Sequence, residues 1–146
     1  MRTPCIKGDT ACYLWLASRQ LFAAIFILAA AGHFNSSTIA SAAEHGVPMP
    51  GLLVPLSGLI ALAGGLSVLF GFHARLGGCL LVLFLVPVTV MMHNFWAMTD
   101  PVSFQIQLTL FIRNLLLLAG ALWIARYGAG AFSLDALMTR RVAQAA

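Results

Sequence analysis

The sequence predicts an all-α integral membrane protein, a four-helix bundle with the N and C termini in the cytoplasm. Three observations indicate this fold: 61% of the 146 residues are hydrophobic, only 8% are charged, and the apolar residues are concentrated in long runs. A soluble domain of this size needs a polar shell, which so few charged residues cannot supply. Runs of 18 or more mostly apolar residues are typical of membrane-spanning helices.

Four such runs divide the chain. We place the spans at about residues 13–33, 51–72, 76–93 and 105–127, and an amphipathic tail at 133–143. We therefore expect residues 1–146 to form a single membrane domain, with no room for a soluble catalytic domain. A cleaved signal peptide over residues 1–31 is the alternative interpretation of the first run, with Ala29, Ala30 and Ala31 resembling a cleavage site. We expect that run to be retained as a span.

Charge differs between the two sides of the predicted bundle. If the spans alternate in direction, the basic residues near their ends all fall on one side; these are Arg2, Lys7, Arg75, Arg126, Arg140 and Arg141. The loops of the other side, residues 34–50 and 94–104, contain no Lys or Arg. This positive-inside pattern predicts cytoplasmic termini. The net charge of +4 then reflects topology, so we expect a lipid bilayer and no nucleic acid as partner.

The small residues of span two are interpreted as a structural feature. Span two carries Ser57, Ala61 and Gly65 at four-residue spacing, which predicts a close helix-packing seam rather than a cofactor site.

The chain has three cysteines but no C-x-x-C motif, and two of them, Cys5 and Cys12, fall on the predicted cytoplasmic side. A reducing compartment favours free thiols there.

Polar residues from three spans fall at one depth in the outer half of the predicted bundle. Spans one and three end on the outer side, where span four begins. At about 1.5 Å rise per residue, Arg113 lies roughly 10–13 Å below the outer surface. The residues at this level are His33, His93, Asn94, Gln107, Arg113 and Asn114, and Trp96 lies at the outer membrane surface. This convergence predicts a ligand-binding site.

Arg113 has no acidic partner within its membrane environment. All four acids lie in loops or tails; these are Asp9, Glu44, Asp100 and Asp135. A guanidinium at mid-depth costs on the order of 2.5–3.5 kcal/mol, and it cannot lose its proton. Four solutions remain open: snorkelling, backbone carbonyls with amide oxygens, an inward-folded Asp100 or Glu44, or an external ligand with oxygen acceptors. Arg19, nearer its helix end, is expected to snorkel.

The histidines leave further alternatives open. His33 and His93 lie at span ends, where an interfacial structural role is the simplest interpretation. The same pair could ligate a haem, or could bind a metal ion together with Glu44 or His45. A single pair of histidines gives no specific signal, so we expect no metal site and no intrinsic cofactor.

Several short elements, in this order, resemble the DoxX family of small bacterial inner-membrane proteins over about residues 14–136. They are RQLFAAIFILAAAGHF, GVPMP, GLIALAGGLSVLFGFHARLG, HNFW and FIRNLLLLAG. The family often has a lysine where His33 stands and a glutamate where Ala61 stands. That glutamate is a plausible ion-pair partner for Arg113, and it is absent here. The resemblance implies a multi-pass protein of the bacterial inner membrane.

The resemblance also implies a subunit of a membrane redox system, such as the components of thiosulfate:quinone oxidoreductases. We hypothesise that Arg113, Asn114 and Gln107 donate hydrogen bonds to a quinone or similar head group. His93 or His33 would exchange a proton, and Trp96 would pack the ring. The chain would be an accessory subunit rather than a self-sufficient enzyme, with electrons from a redox protein partner. The alternatives are a non-catalytic assembly or anchoring subunit, a small-anion carrier, and a homo-oligomer of either.

Overall fold

The computed structural model describes residues 10–145, which form six α-helices and one 3-10 turn, with no strand in that range. The elements are α1 (Thr10–Gly32), α2 (Ser36–Glu44), α3 (Pro50–Phe70), α4 (Ala74–Met92), a 3-10 turn (Phe95–Ala97), α5 (Pro101–Tyr127) and α6 (Leu134–Ala145). Four helical segments are long and apolar enough to cross a membrane, namely α1, α3, α5 and α4 with the 3-10 turn that follows it. The prediction of an all-α protein with four spans is confirmed.

The long helices begin one to four residues before the predicted spans. Pro50 and Pro101 stand at the first helical positions of α3 and α5, where a missing N–H costs nothing. The Asp100 carboxylate accepts a hydrogen bond from the Ser103 N–H at 2.8 Å. These caps extend α5 into the loop predicted to precede it.

Extensive helix contacts run in chain order, from α1 to α3, α3 to α4 and α4 to α5. Glycines set the closest approaches. A Cβ at Gly64 would lie 3.0 Å from the Gly77 carbonyl oxygen, and a Cβ at Gly78 would lie 2.6 Å from the Ala125 nitrogen. By contrast, α1 and α5 meet at few points. The four long helices therefore form a bundle with a groove between its first and last members.

The α1-facing surface of α3 carries the small residues. A Cβ at Gly58 would lie 2.6 Å from His33 Cβ, and one at Gly65 would lie 3.1 Å from Ile27 Cγ1. Ala61 lies between these glycines on the same face and is fully buried. Ser57 is half-buried, and its hydroxyl donates to the Val54 carbonyl of its own helix. The contact face thus runs through Gly58, Ala61 and Gly65, with Ser57 at its edge.

We call the end of the bundle that carries the α3–α4 turn the inner end. The Asp135 carboxylate accepts hydrogen bonds there from the N–H groups of His73 (2.8 Å) and Ala74 (3.2 Å), at the start of α4. The Asp135 N–H donates to the Gly71 carbonyl at 3.0 Å. Ser133 caps α6 by accepting a hydrogen bond from the Ala136 N–H. The start of α6 is therefore fixed to the α3–α4 turn.

The cysteines differ from the expectation in one position. Cys79 is free and exposed, whereas Cys12 is disulfide-bonded. The expectation of free thiols is therefore wrong for Cys12. It rested on the compartment alone, and Cys12 is only 2% exposed, so its sulfur is shielded from the thiol exchange that depends on access.

Candidate ligand-binding site

The outer end, opposite the α3–α4 turn, carries a polar and aromatic stripe along α5. Phe104, Gln107, Phe111 and Asn114 are spaced by three or four residues and so share one face of the helix. This face turns toward the 3-10 turn and the end of α4: Phe95 packs against Phe104 at a ring-centroid distance of 5.7 Å and against Phe111 at 5.3 Å. Asn114, at the deep end, is buried with 4% exposure.

A hydrogen bond between His93 and Gln107 joins the end of α4 to α5. His93 Nδ1 lies 2.9 Å from Gln107 Oε1. Because the facing atom is an amide oxygen, Nδ1 donates, and a neutral ring then presents the Nε2 lone pair. The next residue, Asn94, has a buried side-chain oxygen that accepts no hydrogen bond within residues 10–145. The outer end thus combines a satisfied imidazole–amide pair with an unsatisfied acceptor.

Arg113 lies on the exposed surface of α5, near the middle of that 27-residue helix. It is twelve residues beyond Pro101, which places it about 18 Å along the helix axis. Its polar contact within residues 10–145 runs from Nη2 to Asn114 Oδ1 at 3.5 Å, the outer limit of hydrogen bonding. Side chains snorkel efficiently near helix ends, not at their centres. The guanidinium therefore retains unsatisfied donors.

The loop acids do not solve the pairing problem of Arg113. Asp100 uses its carboxylate to cap α5 through Ser103, and Glu44 is exposed at the end of α2. Of the four solutions open to the sequence, an inward-folded acid is the one that these contacts contradict. The amide oxygen of Asn114 provides a long contact. Within residues 10–145, that oxygen is the acceptor that the guanidinium contacts.

His33 and Trp96 take separate positions at the outer end. His33 bonds through Nδ1 to the Ala29 carbonyl of its own helix at 2.9 Å, and its ring packs edge-on against Phe84 at 5.4 Å. Trp96 packs against Phe95 and Phe111 but keeps 58% of its surface exposed. The structure thus pairs His93 with Gln107 and places Arg113 beside Asn114, about two turns farther along α5, while His33 belongs to the α1–α3–α4 contact.

The metal alternative is not supported by the geometry. Within residues 10–145, no group of three His, Cys, Asp or Glu side chains is arranged to hold a metal ion. His45 instead bonds through Nδ1 to the Ser41 carbonyl of α2 at 2.8 Å. It lies close enough to His93 for a Coulomb interaction, as does Arg113. The surroundings of His93 are therefore rich in nitrogen donors, which suits an oxygen-bearing ligand.

The site that the sequence did not predict surrounds Arg19 at the inner end. Arg19 does not snorkel: it is 4% exposed. Its Nη1 donates to the Ala129 carbonyl at 2.6 Å and its Nη2 to the Leu69 carbonyl at 3.5 Å. Leu69 lies in the last turn of α3, the negative end of the helix dipole. The expectation was wrong because the segment that follows α5 folds over this side chain.

Two further donors complete this inner network. Trp15 Nε1 donates to the Ala129 carbonyl at 3.1 Å, and Gln20 Nε2 donates to the Leu69 carbonyl at 3.1 Å. Arg19 Nε remains buried without a partner in the described part of the chain. Glycines at positions 128 and 130, both with positive φ, allow the turn that presents the Ala129 carbonyl. These glycines are the one sequence signal from which the folding of this segment over Arg19 could have been inferred.

Two cavities lie at the inner end. One, of about 170 Å³, opens between α1 and α5 and is lined mainly by Trp15, Ser18, Arg19, Phe22, Gly120 and Trp123. The other, of about 250 Å³, lies between Phe72 and α6. The polar residues of the outer end therefore form an open face at the lipid boundary rather than one of these cavities.

Comparison with known proteins agrees with this description. The DoxX family model matches residues 14–94. Inner membrane protein YqjF of Escherichia coli (strain K12) is 28% identical over 126 residues, which cover 86% of this chain and 92% of that protein. No solved structure matches the chain. Together with the four apolar helices, these findings show that the chain belongs to the DoxX family and is a multi-pass protein of the bacterial inner membrane.

Proposed function

We propose that the chain is a subunit of a quinone-linked oxidoreductase complex, and that it binds a quinone or similar head group at the outer end. The observation that carries this proposal is Arg113, an exposed cation at the middle of a membrane span whose side chain, within residues 10–145, contacts the Asn114 oxygen at 3.5 Å. Such a group is expensive in lipid and marks a functional site by default. The ligand must bring an acceptor oxygen and must itself dissolve in the bilayer.

A quinone meets both conditions. Its carbonyl oxygen accepts from Arg113, and the ring edge rests on the exposed face of Trp96. In the reduced ligand, a hydroxyl can donate to the unsatisfied Asn94 oxygen. Few other membrane-soluble compounds change between hydrogen-bond acceptor and donor in this way. A quinone would therefore bind both the Arg113 guanidinium and the Asn94 oxygen.

His93 supplies the proton chemistry in this proposal. With Nδ1 committed to Gln107, its Nε2 accepts a proton from a quinol hydroxyl or, when protonated, returns one to a reduced quinone. Reduction of a quinone takes two electrons and two protons. In this proposal a partner subunit supplies the electrons.

A second candidate function rests on the exposure of α5. Only 17% of its most apolar window is buried, compared with 33% in α3 and in the α4 segment. A helix so little covered by its own bundle offers a surface for a larger membrane enzyme. In this alternative the chain is a non-catalytic assembly or anchoring subunit, and Arg113 pairs with a carboxylate of the partner.

The test is a quinone titration of the protein in lipid nanodiscs. In a Trp15→Phe, Trp123→Phe chain, Trp96 fluorescence reports on the outer end, and the probe is a short-tailed benzoquinone. Arg113→Leu is expected to weaken quenching by about tenfold or more, because a charge-assisted hydrogen bond contributes about 1.5–3 kcal/mol. Arg140→Leu, a change of the same type on the exposed face of α6, should leave the titration unchanged.

Two outcomes would redirect the assignment. Equal quinone affinity in the Arg113→Leu chain and its parent, or no binding in either, removes the quinone proposal. Loss of a co-purifying redox protein in Arg113→Leu, with quinone affinity unchanged, favours the anchoring subunit.

A further inference from the structure

The groove between α1 and α5 at the inner end is a lipid-facing slot with a defined floor. These helices lack the extensive contact that joins the other neighbouring pairs. The slot closes where Phe22 lies over Gly120: a Cβ at Gly120 would stand 2.6 Å from the Phe22 ring. Its walls are largely apolar and include the indoles of Trp15 and Trp123. In a bilayer, a slot of about 170 Å³ with this lining takes a lipid chain rather than ordered water.

A buried cation forms the polar part of this slot. Arg19 lines it, is 4% exposed, and has an Nε–H without an acceptor in residues 10–145. Asp135 acts on Arg19 through its charge, but its carboxylate oxygens are bound to the N–H groups of His73 and Ala74. Within residues 10–145, Arg19 therefore keeps an unsatisfied donor, and its positive charge has no contacting anion.

A second cation stands at the mouth of the slot. Arg126 is three residues beyond Trp123 and so lies on the same side of α5, one turn nearer the inner surface. Its side chain is exposed, with the guanidinium carbon 5.4 Å from the Tyr127 ring centroid. From floor to mouth, the slot offers an apolar contact, a hydrogen-bond donor, an indole and an exposed guanidinium.

We propose that this slot is a binding site for an anionic phospholipid. One acyl chain lies along Phe22 and Gly120, an ester carbonyl accepts from Arg19 Nε, and the phosphate lies beside Arg126. The order of chemical groups along a phospholipid matches the order of side chains along the slot. Among residues 10–145, every arginine except Arg113 lies in a segment near this end, which favours a lipid with net negative charge over a zwitterionic one.

The test uses brominated lipids, which quench nearby tryptophan fluorescence. The chain carries Trp15→Phe and Trp96→Phe, so that Trp123 is the only fluorophore of its kind, and is reconstituted into phosphatidylcholine vesicles. Brominated phosphatidylglycerol is compared with brominated phosphatidylcholine at equal mole fraction. We expect about a fivefold preference for the anionic lipid, the factor that one arginine near an anionic head group contributes. Arg126→Gln should abolish the preference, and Arg140→Gln, on α6, should not.

A second variant separates the slot from general attraction to the surface. Ser18 is exposed at the slot, and its hydroxyl bonds to the Trp15 carbonyl one turn away, so Ser18→Phe fills the slot without entering the core. We expect it to reduce quenching of Trp123 by both lipids. Equal quenching by the two lipids in the parent chain would overturn the proposal. An anionic preference that survives Arg126→Gln, or Trp123 quenching that Ser18→Phe leaves unchanged, would overturn it as well.

Discussion

Arg19 and Arg113 are two arginines within membrane spans, and they differ in burial and in hydrogen bonding. Arg19 is 4% exposed and donates at 2.6 Å to the Ala129 carbonyl. Arg113 is exposed and reaches Asn114 at 3.5 Å. Neither has a carboxylate in its span. Backbone carbonyls have thus replaced an acid for one arginine and not for the other.

The difference follows from position along the helices. Arg19 lies beside the last turn of α3 and the segment after α5, where free carbonyls are available. Arg113 lies near the centre of α5, where the carbonyls around it are used by the helix itself. Arg19, near the middle of α1 but beside the ends of neighbouring helices, can stabilise the fold, whereas Arg113 is exposed at mid-helix without such carbonyls beside it. We therefore infer that Arg19 stabilises the fold at the inner end, and we propose that Arg113 serves ligand binding at the outer end.

Gly71→Ala is expected to have the largest effect and to break the inner end. Gly71 has φ +65, and a Cβ there would lie 2.4 Å from Ser133 Cβ and 2.9 Å from Ala129 Cβ. A left-handed alanine costs about 1–2 kcal/mol, and overpacking adds about 1–3 kcal/mol. We expect the free energy of unfolding, measured by denaturant titration in detergent, to fall by about 2–5 kcal/mol.

Gly51→Ala is the matched change at the other end of the same helix, because a Cβ there meets nothing within 4 Å. It should leave stability within about 0.5 kcal/mol or raise it slightly. Similar losses in both variants would contradict the contrast between a closely packed inner end and an open outer end.

This contrast also marks what the sequence could predict. Depth follows from the rise of a helix, so His93, Gln107 and Arg113 could be placed at neighbouring levels before the fold was known. The direction in which each helix face points depends on tertiary contacts. Hydropathy therefore did not predict that Gln107 would face His93 while Arg113 would face outward.

The partners of Arg19 were hidden for a different reason. They are backbone carbonyls, of Leu69 and Ala129, which lie 50 and 110 residues away in the chain. Every residue has a carbonyl, so no side-chain pattern identifies the ones that will accept. The four spans, by contrast, rest on local hydropathy, and their existence could be read from each segment alone.

Replacing each arginine with methionine tests the contrast directly. Arg19→Met removes the 2.6 Å bond to Ala129, and we expect a loss of about 2 kcal/mol in the free energy of unfolding, the usual size for a bond to a charged group. Arg113→Met removes an exposed charge from the membrane span, so we expect no loss or a gain of stability. The measurement is the same detergent titration. A larger loss in Arg113→Met than in Arg19→Met would reverse the assignment of the two ends.

The smallest expected effect concerns Asp100, the cap of α5 at the outer end. The hydrogen bond from the Ser103 N–H lowers the pKa of the Asp100 carboxyl below its ordinary value. Because the pKa is lower in the folded state, the cap stabilises fully above the unfolded pKa of about 3.9, and its contribution is lost as the pH falls through the folded value. Between about pH 5 and pH 3, Asp100→Asn should therefore lose less thermal stability than the parent chain. The difference in midpoint temperature should be small, since the carboxylate is fully exposed to solvent. Identical pH profiles in the two chains would show that the cap contributes nothing to stability. The start of α5 would then be held by Pro101 and by the aromatic contacts of that helix alone.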